Sequence, residues 1–176
     1  GGHSNYIVTD NVIARNNSAQ NGDGTPSDHW ASAIHLFQNG LKGGTVTIER
    51  NVITQNSSLL NPSGTIVIEN AQTDSAPTLV FKNNNIFNNI STYELKSKRP
   101  LSLSNVDATS NWWGTTDETA IQTKIYDWYD GDSSIGVVDY SSYLSSAITT
   151  IPASPPNGVT ATPGPTTIAF TWDANP

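Results

Sequence analysis

Cysteine is absent from the chain. That excludes disulfide staples and thiol chemistry but does not locate the compartment, since a repeat fold needs no covalent cross-links. Basic residues are scarce: eight Lys and Arg stand against fifteen Asp and Glu, for a net charge of -7. That balance argues against nucleic acid as a partner. No run of about 18 apolar residues occurs, so no segment reads as membrane-spanning. Hydrophobic residues make up only 35% of the 176 positions, low for a compact globule. The length leaves room for one domain and part of another. No secretory leader is visible and the pattern described below begins at Asn5, so the expectation is an excerpt from a longer polypeptide continuing at both ends.

What the chain has in quantity is a recurring unit. In the segment from Thr45 to Asn56, Val46, Ile48 and Ile53 are apolar, with polar Thr47, Glu49, Arg50 and Gln55 between them. Alternation of this kind marks a strand buried on one face. Asn51 sits between the two halves, and asparagine tolerates the left-handed conformation a sharp bend needs. The unit therefore predicts strand, one-residue corner, strand. Copies run from Tyr6 to Asn16, Thr78 to Asn89 and Leu101 to Asn111, at offsets of 40, 33 and 22 residues. In this alignment Asn11, Asn51 and Asn84 share the corner. Ile13, Ile53, Ile86 and Ala108 share one inward line, and Asn16, Asn56, Asn89 and Asn111 share the exit. A third apolar run follows each of the first three copies: Ala33 to Phe37, Thr65 to Glu69, and Thr92 to Lys96. Three short strands per repeat describe one turn of a solenoid.

This pattern, over about residues 5 to 114, resembles the right-handed parallel β-helix of pectate lyases and related secreted carbohydrate-active proteins. The expected fold class is all-β: a three-sided parallel β-helix with a C-terminal helical cap and a short fibronectin type III-like β segment. Stacked asparagines suit such a helix, because each side-chain amide can bond to its neighbour in the next turn.

The first inserted loop contains Asn21-Gly22-Asp23-Gly24-Thr25-Pro26-Ser27-Asp28, rich in turn formers. Asp23 and Asp28 are of the type that holds calcium. Their spacing does not match the helix-flanked calcium loop, and a plain surface loop is the better reading. On the third strand Ile34 and Leu36 are expected to point inward and His35 and Phe37 outward, in line with Val67 and Glu69 and then Glu94 and Lys96. In the polysaccharide lyases of the resembled fold, substrate lies beside this sheet, acids bind calcium, and an Arg or Lys removes the sugar proton. His35, Phe37, Glu69, Glu94, Lys96 and Arg99 are therefore the candidate carbohydrate-contacting residues. No lyase signature accompanies them, glycosidase chemistry would need two carboxylates at a set separation, and charged residues on a strand ordinarily face solvent.

Beyond the fourth copy, Thr115 and Glu118 have the spacing of a capping box. Ile121, Ile125 and Trp128 fall at i, i+4 and i+7, predicting an amphipathic helix that Gly131 ends. Asp127, Asp130 and Asp132 crowd its end, where the dipole disfavours negative charge; pairing with a nearby Lys or binding a cation stays open, and a solvated cluster is the better reading. Trp112 and Trp113 lie where the last turn must be covered, so packing is expected rather than stacking on sugar. The cap is thus placed at about 112–146, completing a β-helix unit over 1–146. A linker over 147–155 follows. Residues 156–176 look like the first strands of a fibronectin type III domain, with Trp172 in its core tryptophan position. The resemblance implies an extracellular or cell-surface bacterial protein. Two functional classes stay open: a structural or carbohydrate-recognition module, or the end of a polysaccharide lyase, hydrolase or epimerase whose active site lies mostly upstream.

Overall fold

The computed structural model describes residues 5–18, 31–36, 43–58, 63–69, 76–153 and 158–173. Asp23, Asp28 and Phe37 lie outside these ranges. Short strands follow one another in a repeating order. The first repeat supplies β1 (Tyr6–Thr9), β2 (Val12–Ala14), β3 (Asn17–Ser18) and β4 (Ala31–Leu36). The second supplies β5 (Thr45–Glu49), β6 (Val52–Thr54), β7 (Ser57–Ser58) and β8 (Gly64–Ile68). The third supplies β9 (Thr78–Lys82), β10 (Asn85–Phe87) and β11 (Tyr93–Ser97). Then come β12 (Val106–Asp107), α1 (Glu118–Gln122), β13 (Ile125–Tyr126) and β14 (Val138–Asp139), and finally β15 (Thr160–Pro163) and β16 (Ile168–Thr171).

The chain visits its sheets in turn. Strands β1, β5, β9, β12 and β14 form one sheet; β2, β6 and β10 a second; β4, β8, β11 and β13 a third. All pairings in these three are parallel. Among the described strands only β15 and β16 pair antiparallel, and an isolated antiparallel bridge joins Pro100 to Ile135. The protein is all-β with parallel sheets and, among the described residues, one short α-helix, an arrangement compatible with a β-helix.

The alternation in the sequence becomes alternation of burial: in β5, Val46 and Ile48 are buried while Thr45, Thr47 and Glu49 are half-buried. In the second sheet Ile13, Ile53 and Ile86 are in register. In the third, Ile34, Ile66, Leu95 and Ile125 stack. These lines meet Phe81, Leu79, Val106 and Val138 of the first sheet in one apolar cluster. Each such side chain contributes about 1.5–3 kcal/mol on burial.

The corners differ from the expectation by one residue. Positive φ falls on Asp10, Arg50 and Asn83, each just before the asparagine, and again on Arg15, Gln55 and Asn88. Asparagine is there for its side chain. Asn51 Nδ2 donates to its own strand at Glu49 O (2.8 Å), to Val8 O (3.0 Å) and to Asn84 Oδ1 (3.1 Å), and Asn51 N donates to the same oxygen at 3.0 Å. Asn11 uses Asn51 in the same way, and Asn84 uses Asn111. A second ladder runs from Asn16 through Asn56 to Asn89. The left-handed residue turns the chain at about 1–2 kcal/mol of strain, and the amide ladder offsets it.

The fourth repeat is also corrected. Asp107 pairs with Val80, an offset of 27 rather than 22, which brings Asn111 beneath Asn84 and into the corner ladder, not the exit ladder. Ala108 therefore lies in the line of Phe81, and Trp113 follows Ile86 beyond the Asn85–Trp112 bridge. Leu101 and Leu103 alternate like a strand, yet they belong to a turn closed by Leu103 N on Pro100 O, and Leu101 is 55% exposed. Gly114 just beyond Trp113 has φ 78°, and a Cβ there would come within 2.9 Å of the Phe87 Cβ.

The expected cap helix shrinks to Glu118–Gln122. Asp117, not Thr115, is its N-cap, accepting from Thr119 N and Ala120 N. Thr115 Oγ1 accepts from Asp117 N one step earlier. Ile121 is buried in the core cluster. Ile125 leaves the helix and becomes a strand residue stacked on Leu95, because the parallel edge of β11 offers backbone partners that a longer helix would forgo. Trp128 lies in a 3₁₀ turn, 42% exposed, and is not part of a buried stripe. Gly131, with φ 91°, ends that turn. Ile148 exchanges two hydrogen bonds with the Asn85 side chain, and Ile151 packs with Val52 and Phe87. In the β15–β16 hairpin Ile168, Phe170 and Trp172 are all exposed.

Candidate functional site

The outward face of the third sheet gathers most of the candidate residues, but in rows different from those expected. His35, Val67, Lys96 and Tyr126 share one row. Tyr93 pairs with Gly64 and Leu95 with Ile66, so Glu94 lies beside Thr65, one row away from Lys96. Glu69 follows Ile68 at the far end, its N–H bonded to Leu36 O. The two carboxylates of Glu69 and Glu94 thus stand in separate rows.

These charged groups are not a solvated face. Lys96 and Arg99 are each 2% exposed, and Glu69 and Glu94 are buried. Each is engaged within the fold. Arg99 Nε donates to Ser104 O at 2.8 Å, and its Nη2 donates to Pro77 O at 2.8 Å and to Ser104 Oγ at 3.2 Å. A guanidinium with its fork occupied by carbonyls pins the turn from 100 to 104. The Lys96 ammonium sits 5.8 Å from the centre of the Tyr126 ring, which in turn tilts against Tyr93 at 5.3 Å. Such a cation–ring contact contributes about 0.5–2 kcal/mol. Of this group only His35 faces solvent substantially; its Nε2 lies 3.5 Å from Glu69 Oε1.

Glu94 has a structural role that sequence reasoning missed. Asn89 is the last asparagine of the exit ladder, and its Nδ2 donates to Glu94 Oε2 at 2.9 Å. The carboxylate stands where the next asparagine oxygen would be. Burial pushes the Glu94 carboxyl up, while bonds from Asn89 and Thr65 and the charge of Lys124 pull it back in part. The signal lies in the sequence: Glu94 follows Asn89 by five residues, and with Asn111 in the corner ladder no further asparagine continues the exit ladder among the described residues.

Asp127 is likewise not a solvated acid. It is fully buried, accepts from Val138 N at 2.8 Å and Tyr129 N at 3.0 Å, and so ties the 3₁₀ turn to β14. Burial raises its carboxyl, with Asp130 nearby adding to the effect. Asp130 bonds back to Asp127 N, and Asp132 accepts from Ser134. Among the described residues no three His, Cys, Asp or Glu side chains converge as a metal site. Trp113 is buried in the core, and half-buried Trp112 packs on the Val52, Phe87 and Ile151 cluster.

Beside α1 lies a cleft of about 440 Å³ lined by Glu118, Gln122, Tyr129, Val138, Asp139 and Tyr140, among others. A second opening, about 290 Å³ and almost wholly apolar, exposes the core between β1, β4 and β5, with Tyr6, Ile34 and Val46 in its walls. Among the described residues no helix is long and apolar enough to cross a membrane. Comparisons with family models, curated proteins and solved structures returned no match.

Proposed function

We propose that the chain is a non-catalytic scaffold module: a right-handed three-sided parallel β-helix with its C-terminal closure, of the kind seen in pectate-lyase-like proteins. It leads into a fibronectin type III segment and belongs to a secreted or cell-surface protein that meets polysaccharide. The observation that carries this reading is the use made of the candidate charges. Glu94 ends an asparagine ladder, Arg99 holds two backbone carbonyls, and Lys96 is buried over an aromatic ring. Groups committed to holding the fold are poorly placed to exchange protons with a substrate.

The test is an assay of the purified chain for depolymerisation of pectate, alginate, xylan and hyaluronan, read by unsaturated ends and by reducing ends. The expected result is no turnover, with cooperative unfolding. Turnover that Lys96→Ala or Glu94→Gln abolishes in a still-folded protein would overturn the reading and favour a polysaccharide-cleaving enzyme.

A further inference from the structure

The cleft beside α1 is built differently from the rest of the surface. Its floor is apolar, with buried Val138 and the Tyr140 ring. Its side is Tyr129, 65% exposed, which meets Trp128 edge to face with centroids 5.2 Å apart and planes at 87°. Backbone restraint adds to this, since Tyr129 N is held by Asp127. A large aromatic face is thus presented to solvent in a fixed orientation.

The rim is polar and partly set in advance. Tyr140 Oη donates to Gln122 Oε1 at 2.7 Å, which orients the amide and turns its two Nε2 hydrogens away from Tyr140, with no acceptor for them among the described residues. Asp139 accepts from Ser141 N at 3.0 Å through Oδ1, leaving Oδ2 for another donor. Glu118 lines the same opening. One wall therefore offers a flat apolar face, and the rim offers two fixed donors and two carboxylates.

We infer that this cleft binds a neutral sugar ring, stacked on Tyr129 and hydrogen-bonded through its hydroxyls to Gln122, Glu118 and Asp139. A pyranose has one face of C–H groups, matching an aromatic ring, and an edge of hydroxyls that each donate and accept. The cleft volume falls in the range of small-ligand sites, ~300–1,000 Å³. A uronate, sulfate or phosphate would meet the Glu118 and Asp139 carboxylates with no Lys or Arg among the described lining residues to offset them. An amine would suit the carboxylates but would face the Gln122 donors. A neutral polyhydroxylated ring satisfies both. Because the amide is already held by Tyr140, little ordering is lost on binding. This site lies apart from the third-sheet face and does not depend on the scaffold reading.

The test uses the whole chain titrated with maltose, cellobiose, xylobiose and mannobiose, and with digalacturonate and putrescine as charged probes. The readouts are tryptophan emission, to which Trp128 beside Tyr129 contributes, and side-chain amide NMR shifts of Gln122. The expected result is saturable binding of at least one neutral disaccharide, weakened at least tenfold by Tyr129→Ala and by Glu118→Ala, with no saturable response to the charged probes. Both residues are exposed, so both variants should unfold at an unchanged temperature. Should Tyr129→Ala fold poorly, Glu118→Ala and the Gln122 shifts still decide the matter. No saturation with any neutral sugar, binding indifferent to both substitutions, or tighter binding of digalacturonate or putrescine would overturn the proposal. None of these outcomes bears on turnover at the third sheet, so the two readings fail separately.

Discussion

Replacing Asn84 by Ala should be among the most damaging single substitutions in the chain. Asn84 is fully buried in the middle of the corner ladder. Its Nδ2 donates to Ile48 O at 2.9 Å and to Lys82 O and Asn111 Oδ1 at 3.0 Å each. Its Oδ1 accepts from Asn51 N at 3.0 Å and Asn51 Nδ2 at 3.1 Å. Truncation removes all of these, but the partners are not equally stranded. Asn51 Nδ2 keeps Val8 O and Glu49 O, and Asn111 Oδ1 keeps Asn84 N. Asn51 N loses its acceptor inside a fully buried residue, at about 1–3 kcal/mol, and the remaining lost bonds add about 0.5–1.5 kcal/mol each before partial compensation. A total of about 3–5 kcal/mol follows, a large share of the ~5–15 kcal/mol that holds a typical domain. Asn11→Ala is the control, because Asn11 is exposed at the ladder's first rung and its backbone N–H still finds Asn51 Oδ1; about 0.5–1 kcal/mol is expected there. Urea unfolding followed by circular dichroism measures both, with unchanged m-values required for the comparison. Losses for Asn84→Ala and Asn11→Ala within about 1 kcal/mol of each other would refute the ladder as the source of corner stability.

Ile125→Ala should cost about 2–5 kcal/mol as a truncation in the core, whereas Trp128→Ala should cost less than about 1 kcal/mol because the side chain lies outside the core cluster and is 42% exposed; paired thermal melts decide. Burial raises the Glu94 carboxyl above its ordinary value. The folded state therefore favours the protonated acid, and this group's stabilising contribution is full at low pH and falls as pH rises from the unfolded value towards the raised one. Glu94→Gln keeps an acceptor for Asn89 without a charge, so the melting temperature of the variant relative to the parent should climb as pH rises from about 4 towards 7; a pH-independent difference would contradict this. Ser110 has φ 58°, and Ser110→Gly should leave stability unchanged or raise it by up to about 1 kcal/mol, since relief of left-handed strain outweighs the added chain entropy; denaturant midpoints give the answer.

How much was legible in the sequence depended on the range of the interaction. The period-2 alternation of Val46 and Ile48, and the inward line of Ile13, Ile53 and Ile86, are local facts of pattern. They determined the strands, their inner faces and the stacking of the first three repeats. The presence of an asparagine at each corner was equally plain. Its mechanism was not, because tolerance of positive φ is a property of one residue, whereas the ladder exists only when the next repeat lies alongside at hydrogen-bonding distance. The fourth repeat shows the same division. Leu101 and Leu103 imitate a strand, and only the pairing of Asp107 with Val80 assigned Asn111 to the corner and Trp113 to the core. Ile125 had the spacing of a helix stripe, and the free edge of β11 made it a strand residue instead. For the site, strand alternation turned Glu94 and Lys96 outward, and residue type added Arg99 to the same face. Tertiary structure decided that they are buried and engaged, and it brought Glu118, Gln122, Tyr129 and Asp139 around one cleft. Alternation along a strand is written in adjacent residues, but burial and convergence depend on which distant segments the fold lays beside them.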